Sequence, residues 1–132
     1  MNFTLRAVLA LLAVLCLTSG CTTIARVSNL TDMACQSTFS KAVSAILVEQ
    51  GEKPEVVGTL ADHAVRIMLR ADYGPRPFFV ASPSGTDYTF FVQAKKPVCL
   101  LRLYGRQKGF WSYTNNLTYI ATRPLPGCFC SE

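Results

Sequence analysis

Cysteines are the residues of this 132-residue sequence with the clearest chemistry. Four of the six lie beyond the first 30 residues: Cys35, Cys99, Cys128 and Cys130. An even number in a small chain predicts two disulfide bonds, for which four cysteines allow three connectivities. A bridge between Cys128 and Cys130 would close a loop over one residue, whereas bridged Cα atoms prefer a separation of about 5.5 Å. We therefore expect Cys35 and Cys99 to pair separately with the C-terminal two, in an order that the sequence leaves open.

Metal binding and catalysis have little support in the remaining side chains. Cys-Phe-Cys lacks the spacing of a metal site, and His63 is the only histidine. His63 lies within a predicted helix and has no serine or cysteine motif beside it, and no G-x-S-x-G elbow occurs. The acidic residues Glu49, Glu52 and Glu55 lie at predicted helix ends, where solvation and helix-terminus charge explain them. We therefore expect no enzymatic activity, no cofactor, no metal and no small-molecule substrate.

The first 21 residues have the layout of an export signal. Arg6 precedes an uncharged apolar run over residues 7–17, which is too short to span a bilayer, since spanning takes about 20 residues. Residues 17–21 (LTSGC) resemble the lipobox of bacterial lipoproteins. The alternative is an ordinary secretory signal followed by a cysteine that forms a disulfide.

The lipobox resemblance implies a covalent lipid on Cys21. Residues 1–20 would be removed as a signal peptide, and acyl chains, including palmitate-type chains, would hold the mature chain to a membrane without spanning it. Thr22, where Asp would favour retention, implies transport to the outer membrane, with the domain facing the periplasm. Residues 21–30 are expected to be a tether and residues 31–132 a single domain.

Two amphipathic helices are predicted in the first half of the domain. Asp32 can cap a helix that ends before Gly51, and Pro54 suits the first turn of a helix that ends before Gly74. Apolar residues recur at three- and four-residue steps in both, so each helix has one face to bury. These residues are Cys35, Phe39, Ala42, Val43, Ile46 and Leu47 in the first helix, and Val57, Leu60, Ala61, Ala64, Val65 and Met68 in the second.

Strands are predicted in the second half. Their expected ranges are 78–82, 88–93, 98–104, 110–114 and 117–122, with a short last strand around Phe129. The connections are short, which favours antiparallel pairing. The predicted fold class is therefore α+β, with two N-terminal helices packed on an antiparallel sheet of about five strands, stapled by disulfides.

The second face of this sheet is predicted to keep large apolar residues. Alternation places Phe91, Leu100 and Tyr104 there, joined by Trp111 or Tyr113. One interpretation is a strongly curled sheet, or a sheet covered by the C-terminal segment. The other is an exposed aromatic patch that a partner covers.

The net charge of +5 is concentrated in the sheet half of the chain. Residues 75–132 contain seven basic and two acidic residues (+5), whereas residues 21–74 contain five basic and six acidic residues (−1). The basic residues interleave with aromatic ones, and the expected partner-binding set is Arg102, Tyr104, Arg106, Lys108, Phe110 and Trp111. For an exported, anchored chain, this pattern favours anionic lipid headgroups, acidic glycans or an acidic protein over nucleic acid.

These observations favour a non-enzymatic, protein-binding lipoprotein of the outer membrane. We expect an accessory subunit of an envelope assembly such as a secretion or conjugation machine. The alternative is an immunity or inhibitor protein that blocks a toxin or cell-wall hydrolase, because its cationic hairpin tips could enter an acidic cleft. A third hypothesis is the binding of a small ligand or lipid between the helices and the sheet.

Overall fold

In the described part of the chain, two helices pack on an antiparallel sheet of six strands. This confirms the predicted α+β class, for which about five strands were expected. A computed structural model describes residues 24–70, 74–95, 98–108 and 120–131. The elements in chain order are β1 (Ile24–Val27), α1 (Met33–Glu49), α2 (Pro54–Met68), β2 (Phe78–Ala81), β3 (Thr86–Lys95), β4 (Val98–Lys108), β5 (Ala121–Leu125) and β6 (Cys130–Ser131). Neither α1 nor α2 is long and apolar enough to cross a membrane.

The helices begin and end where their local signals predict. Asp32 Oδ1 accepts a hydrogen bond from the backbone N–H of Ala34 at 3.1 Å, which satisfies one free donor at the start of α1. Gly51 follows the end of α1 with φ of +90°, a conformation that glycine adopts at no steric cost. Pro54 occupies the first turn of α2, where its missing N–H is not needed.

The predicted apolar stripes of the helices form the helical half of the core. All six predicted α1 residues are buried, and α2 buries Val57, Leu60, Ala61 and Ala64. Val65 and Met68 lie half-buried at the edge of the same cluster. The sheet contributes an aromatic row to this core, because the ring of Phe78 lies between those of Phe39 and Phe90, at centroid distances of 5.8 and 5.3 Å.

The central strand is β3, and the other strands are arranged around it. Along one edge, β4 pairs with the whole of β3 and then with β5. The opposite edge is shared, since β2 pairs with residues 87–90 and β1 with residues 92–93. The strands expected at 78–82, 88–93 and 98–104 are confirmed, with longer β3 and β4 than expected. The strand expected at 117–122 overlaps β5 at residues 121–122, and residues 110–119 lie outside the described residues.

The expected tether is wrong from Ile24 onward. Ile24 and Ala25 pair with β3, while Arg26 and Val27 pair with β6, so β1 belongs to the sheet. Ala25 and Val27 alternate into the core, as does Leu30 three residues later. Burial of these apolar side chains outweighs the polar composition on which the tether prediction rested.

Both disulfides join Cys35 and Cys99 to the C-terminal pair, as predicted. The open choice is resolved as Cys35–Cys128 and Cys99–Cys130. Cys99 lies on β4 and Cys130 on β6, which are three strand positions apart, or about 14 Å in a flat sheet. Their Cα atoms are only 5.7 Å apart, so the sheet curls strongly and carries β1 and β6 across the helix side.

Replacing the Cys35–Cys128 bridge by two serines should lower the free energy of unfolding by about 4 kcal/mol. The bridge joins residues 93 positions apart and so restricts the unfolded chain to a closed loop. Without the bridge, the conformational entropy of the unfolded chain rises, which favours unfolding. Denaturant unfolding followed by circular dichroism measures the loss.

Peptide mapping without reduction should recover disulfide-linked fragments that join Cys35 to Cys128 and Cys99 to Cys130. Fragments that join Cys35 to Cys130 or Cys99 to Cys128 would contradict the pairing.

Candidate functional site

The antiparallel register gives the sheet two distinct ends. The end of β4 lies beside the start of β3, so Arg106 pairs with Tyr88, and we call this the Arg106 end. The start of β4 lies beside the end of β3, where Lys95 pairs with Val98, and we call this the Lys95 end. The ten residues of β3 separate the two ends by about 30 Å.

A carboxylate with three hydroxyl donors lies at the Arg106 end. Glu52 Oε1 accepts hydrogen bonds from Tyr88 Oη at 2.6 Å and Ser84 Oγ at 3.0 Å. Glu52 Oε2 accepts one from Ser82 Oγ at 2.8 Å. Glu52 belongs to the connection between the helices and the donors belong to β3 and the β2–β3 turn, so the cluster ties the helical layer to the sheet.

Local backbone geometry places each member of this cluster. The Glu52 N–H donates to the carbonyl of Leu47 at 3.1 Å, which turns the chain back at the end of α1. In the β2–β3 turn, the Ser82 N–H donates to Thr86 O at 2.9 Å and Gly85 has φ of +88°. The Ser82 hydroxyl also accepts from the Ser84 N–H at 3.2 Å, so the tight turn holds both hydroxyls toward the same carboxylate.

The cluster keeps its charged and neutral groups in fixed protonation states. Burial by itself raises the pKa of Glu52. The hydrogen bonds from Tyr88, Ser82 and Ser84 together lower the pKa by more than burial raises it, so the pKa lies below its ordinary value of 4.5. Burial raises the pKa of Tyr88 well above its ordinary range, and the hydrogen bond to the Glu52 anion raises it again. Glu52 is therefore an anion and Tyr88 a neutral donor near pH 7.

This protonation pattern suits binding better than proton transfer. A general base works best with a pKa near the operating pH, whereas Glu52 is a weaker base than an ordinary glutamate. Ser82 and Ser84 already donate to Glu52, so the cluster satisfies its own hydrogen-bonding groups. Among the described residues, no three side chains of the metal-ligating types lie together.

An open pocket of about 430 Å³ lies against this cluster. Its polar lining includes the cations Lys53 and Arg106 as well as Ser84 and Tyr88, and Val56 adds an apolar surface. The guanidinium of Arg106 donates to Gln50 Oε1 at 3.0 Å while the residue stays exposed. The pocket thus offers two cations beside an anion that is already hydrogen-bonded.

A β-bulge sets the direction of Arg106. Thr89 pairs with Gly105 but Phe90 pairs with Leu103, so Tyr104 is an extra residue on β4. Without the bulge, alternation would put Arg106 on the same face as Tyr104. With it, Arg106 pairs with Tyr88 and lies on the helix side, next to Gln50.

The structure therefore divides the predicted partner-binding set. Arg102 and Tyr104 share the face opposite the helices, where both are half-buried, whereas Arg106 is exposed on the other side. The side chains of Lys108, Phe110 and Trp111 lie outside the described residues, as does Cys21. The residues of the predicted partner-binding set therefore lie on at least two different surfaces of the domain.

Of the two interpretations of the second face, the exposed aromatic patch is wrong at Phe91. Phe91 is 3% exposed, and the ring of Tyr104 contacts it edge-on at a centroid distance of 5.7 Å. Leu100 is half-buried on the same face. The observed curl agrees with the other interpretation, a strongly curled sheet, and Trp111 and Tyr113 lie outside the described residues.

Sequence reasoning missed the Glu52 cluster. Glu52 resembles an ordinary solvated acid at a helix end, and Ser82 and Ser84 resemble turn residues. The one available signal is Tyr88, which strand alternation places on the buried face of β3. The hydroxyl of a tyrosine whose ring is in the core needs a hydrogen-bond partner.

Comparison of the chain with protein-family models, curated proteins and solved structures finds no match. The fold and the site thus define the class, a disulfide-bonded α+β domain with a polar pocket at one end of its sheet.

Replacing Glu52 by Gln should lower the free energy of unfolding by about 1–2 kcal/mol. The amide cannot accept from all three hydroxyls as the carboxylate does, and hydrogen bonds to a charged group contribute more than neutral ones. Thermal or denaturant unfolding measures the change. Asp62→Asn, an exposed acid-to-amide change on α2, is the matched control and should shift stability by less than about 0.5 kcal/mol.

Glu52 should also make the domain acid-sensitive. Its pKa is lower in the folded than in the unfolded chain, so the unfolded chain binds the proton first as the pH falls. The stabilisation is complete well above pH 4.5 and is lost as the pH falls through that value and below it. Stability measured from pH 7 to pH 3 should fall less steeply in Glu52→Gln than in the wild type; parallel curves would contradict this.

Proposed function

We propose that this protein is a lipid-anchored, non-enzymatic binding module of the outer membrane. In this proposal it faces the periplasm and engages an envelope protein, as an accessory subunit of a larger assembly such as a secretion or conjugation machine. The lipobox resemblance at residues 17–21 supports the anchor, and the two disulfides agree with folding in an oxidising compartment.

The observation that carries the proposal is the exposed Arg106 beside the open pocket at the Arg106 end. Arg106 and Lys53 present two cations around a space of about 430 Å³. The oxygens of the neighbouring Glu52 anion accept from three hydroxyls, and within the described part of the chain neither cation forms an ion pair with it. A guanidinium recognises carboxylates through paired hydrogen bonds, which favours an acidic side chain or chain end of a protein partner.

The position of Arg106 also agrees with a partner-facing role. The N-terminus of β1 lies toward the Lys95 end, because Ile24 pairs with Gln93, whereas Arg106 pairs with Tyr88. These two β3 residues are five positions apart, or about 17 Å along the strand. An anchor that precedes β1 would therefore leave the Arg106 end directed away from the membrane and accessible to another envelope protein.

Arg106→Glu should weaken the complex without unfolding the domain. The change reverses the charge that faces the acidic group, so at least a tenfold loss of affinity is expected, the equivalent of about 1.4 kcal/mol. Lys41→Glu makes the same change of charge at an exposed position in the middle of α1 and is the matched control. Crosslinking in intact cells followed by purification of the full-length chain gives the yield of the complex for each variant.

The outcomes separate the functional hypotheses. Equal yields for the wild type and Arg106→Glu would contradict a partner surface at the Arg106 end, and a chain always recovered alone would contradict the accessory-subunit proposal. Recovery with a hydrolase or toxin whose activity falls on binding would favour the immunity or inhibitor hypothesis instead.

A further inference from the structure

The chain between the proposed anchor and the sheet is very short. β1 begins at Ile24, three residues after Cys21, and three residues span at most about 11 Å. Ile24 pairs with Gln93, two residues before Lys95 at the end of β3. A lipid on Cys21 would therefore hold the Lys95 end of the sheet against the membrane surface.

Three of the seven large apolar side chains that are exposed in the described part of the chain lie at this end. Val98, the first residue of β4, is 36% exposed and directly precedes Cys99 in the chain. Cys99 is bridged to Cys130, whose preceding residue, Phe129, is 66% exposed. The first residue of α1, Met33, is 81% exposed and lies two positions before the bridge from Cys35 to Cys128.

The backbone around Phe129 is held in place, so the exposure of its ring belongs to an ordered segment. Its N–H donates to Asn29 Oδ1 at 2.8 Å, and its carbonyl accepts from the Ser28 N–H at 2.7 Å. The Asn29 side chain also donates to the carbonyl of Gly127 at 2.9 Å. This network joins the loop after β1 to the segment before β6.

Charge is distributed unequally between the two ends. Arg26 and Lys95 are exposed cations at the Lys95 end, where Asp32 is the nearby acid of the described residues. At the opposite end the described acids Glu49, Glu52, Glu55 and Asp87 outnumber the pocket cations Lys53 and Arg106. Glu49 forms an ion pair with Arg123. An acid-poor end with exposed apolar residues suits an anionic bilayer surface, where each lysine or arginine adds attraction and apolar side chains reach the acyl boundary.

We infer that the Lys95 end is a membrane-contacting surface that binds anionic lipid headgroups, with Phe129 and Val98 inserted among them. The inference rests on the proposed lipid anchor at Cys21. The strands then stand upright on the bilayer, and the Arg106 end lies about 30 Å from it.

Amine footprinting of the full-length, lipidated chain tests the orientation. The protein is reconstituted into vesicles of phosphatidylethanolamine with phosphatidylglycerol, and into vesicles of phosphatidylcholine alone, and is labelled with a membrane-impermeant acylating reagent. On the anionic vesicles, Lys95 should react about fivefold more slowly than Lys53, which lies at the Arg106 end. The protection should shrink on phosphatidylcholine and at high salt, because headgroup attraction is screened.

A matched pair of variants tests the apolar contribution. Phe129→Asp should return the acylation rate of Lys95 toward that of Lys53. Val48→Asp, an equally charged change at a residue that is 59% exposed near the end of α1, should leave the protection intact. Unreduced mass analysis checks that both disulfides persist in each variant.

The results distinguish failure of this inference from failure of the anchor. An intact mass without lipid on Cys21 would overturn the proposed anchor. With lipid present, equal reactivity of Lys95 and Lys53 on anionic vesicles would overturn the membrane-contacting surface, and equal protection on both kinds of vesicle would overturn headgroup charge as its cause.

Discussion

The curl of the sheet is the constraint on which the remaining architecture depends. A flat sheet would hold β4 and β6 about 14 Å apart, yet the Cα atoms of the bridged Cys99 and Cys130 are 5.7 Å apart. The curl brings β6 across the helix side, where Cys128 meets Cys35 at the start of α1. As a result, the first and last strands of the described chain pair with each other, and both are fastened to one end of the domain.

The two ends of the domain are stabilised by different chemistry. Covalent bridges hold the Lys95 end, whereas the Arg106 end depends on one carboxylate and three hydroxyls. Each end therefore responds to a different condition: reduction opens the first, and acid weakens the second by protonating Glu52. In both cases a residue outside the regular elements, Cys128 or Glu52, connects the helices to the rest of the fold.

The sequence predicts the parts of this fold that depend on local pattern. Helix caps, apolar stripes and hairpin turns are near-neighbour features, so Asp32, Gly51 and the inward residues of both helices are predicted correctly. The sequence does not predict β1, because four residues acquire strand structure only by pairing with β3 and β6. Nor does strand alternation predict the direction of Arg106, since one extra residue at Tyr104 reverses it and Gly105 is only a weak sign of a bulge. The Glu52 cluster joins residues about 30 positions apart, a distance at which composition and spacing carry no signal.

The place of β1 determines how the domain would bear mechanical load. A pull on the N-terminus is directed along β1, whose hydrogen bonds to β3 and β6 run across the strand. The load is therefore shared by those bonds in shear instead of opening them one at a time. The Cys99–Cys130 disulfide connects β6 to β4, and the Cys35–Cys128 disulfide connects the segment before β6 to α1. The force therefore passes into the core through covalent bonds. A pull on the short first strand is thus opposed by backbone hydrogen bonds on both of its sides and, behind β6, by two disulfides.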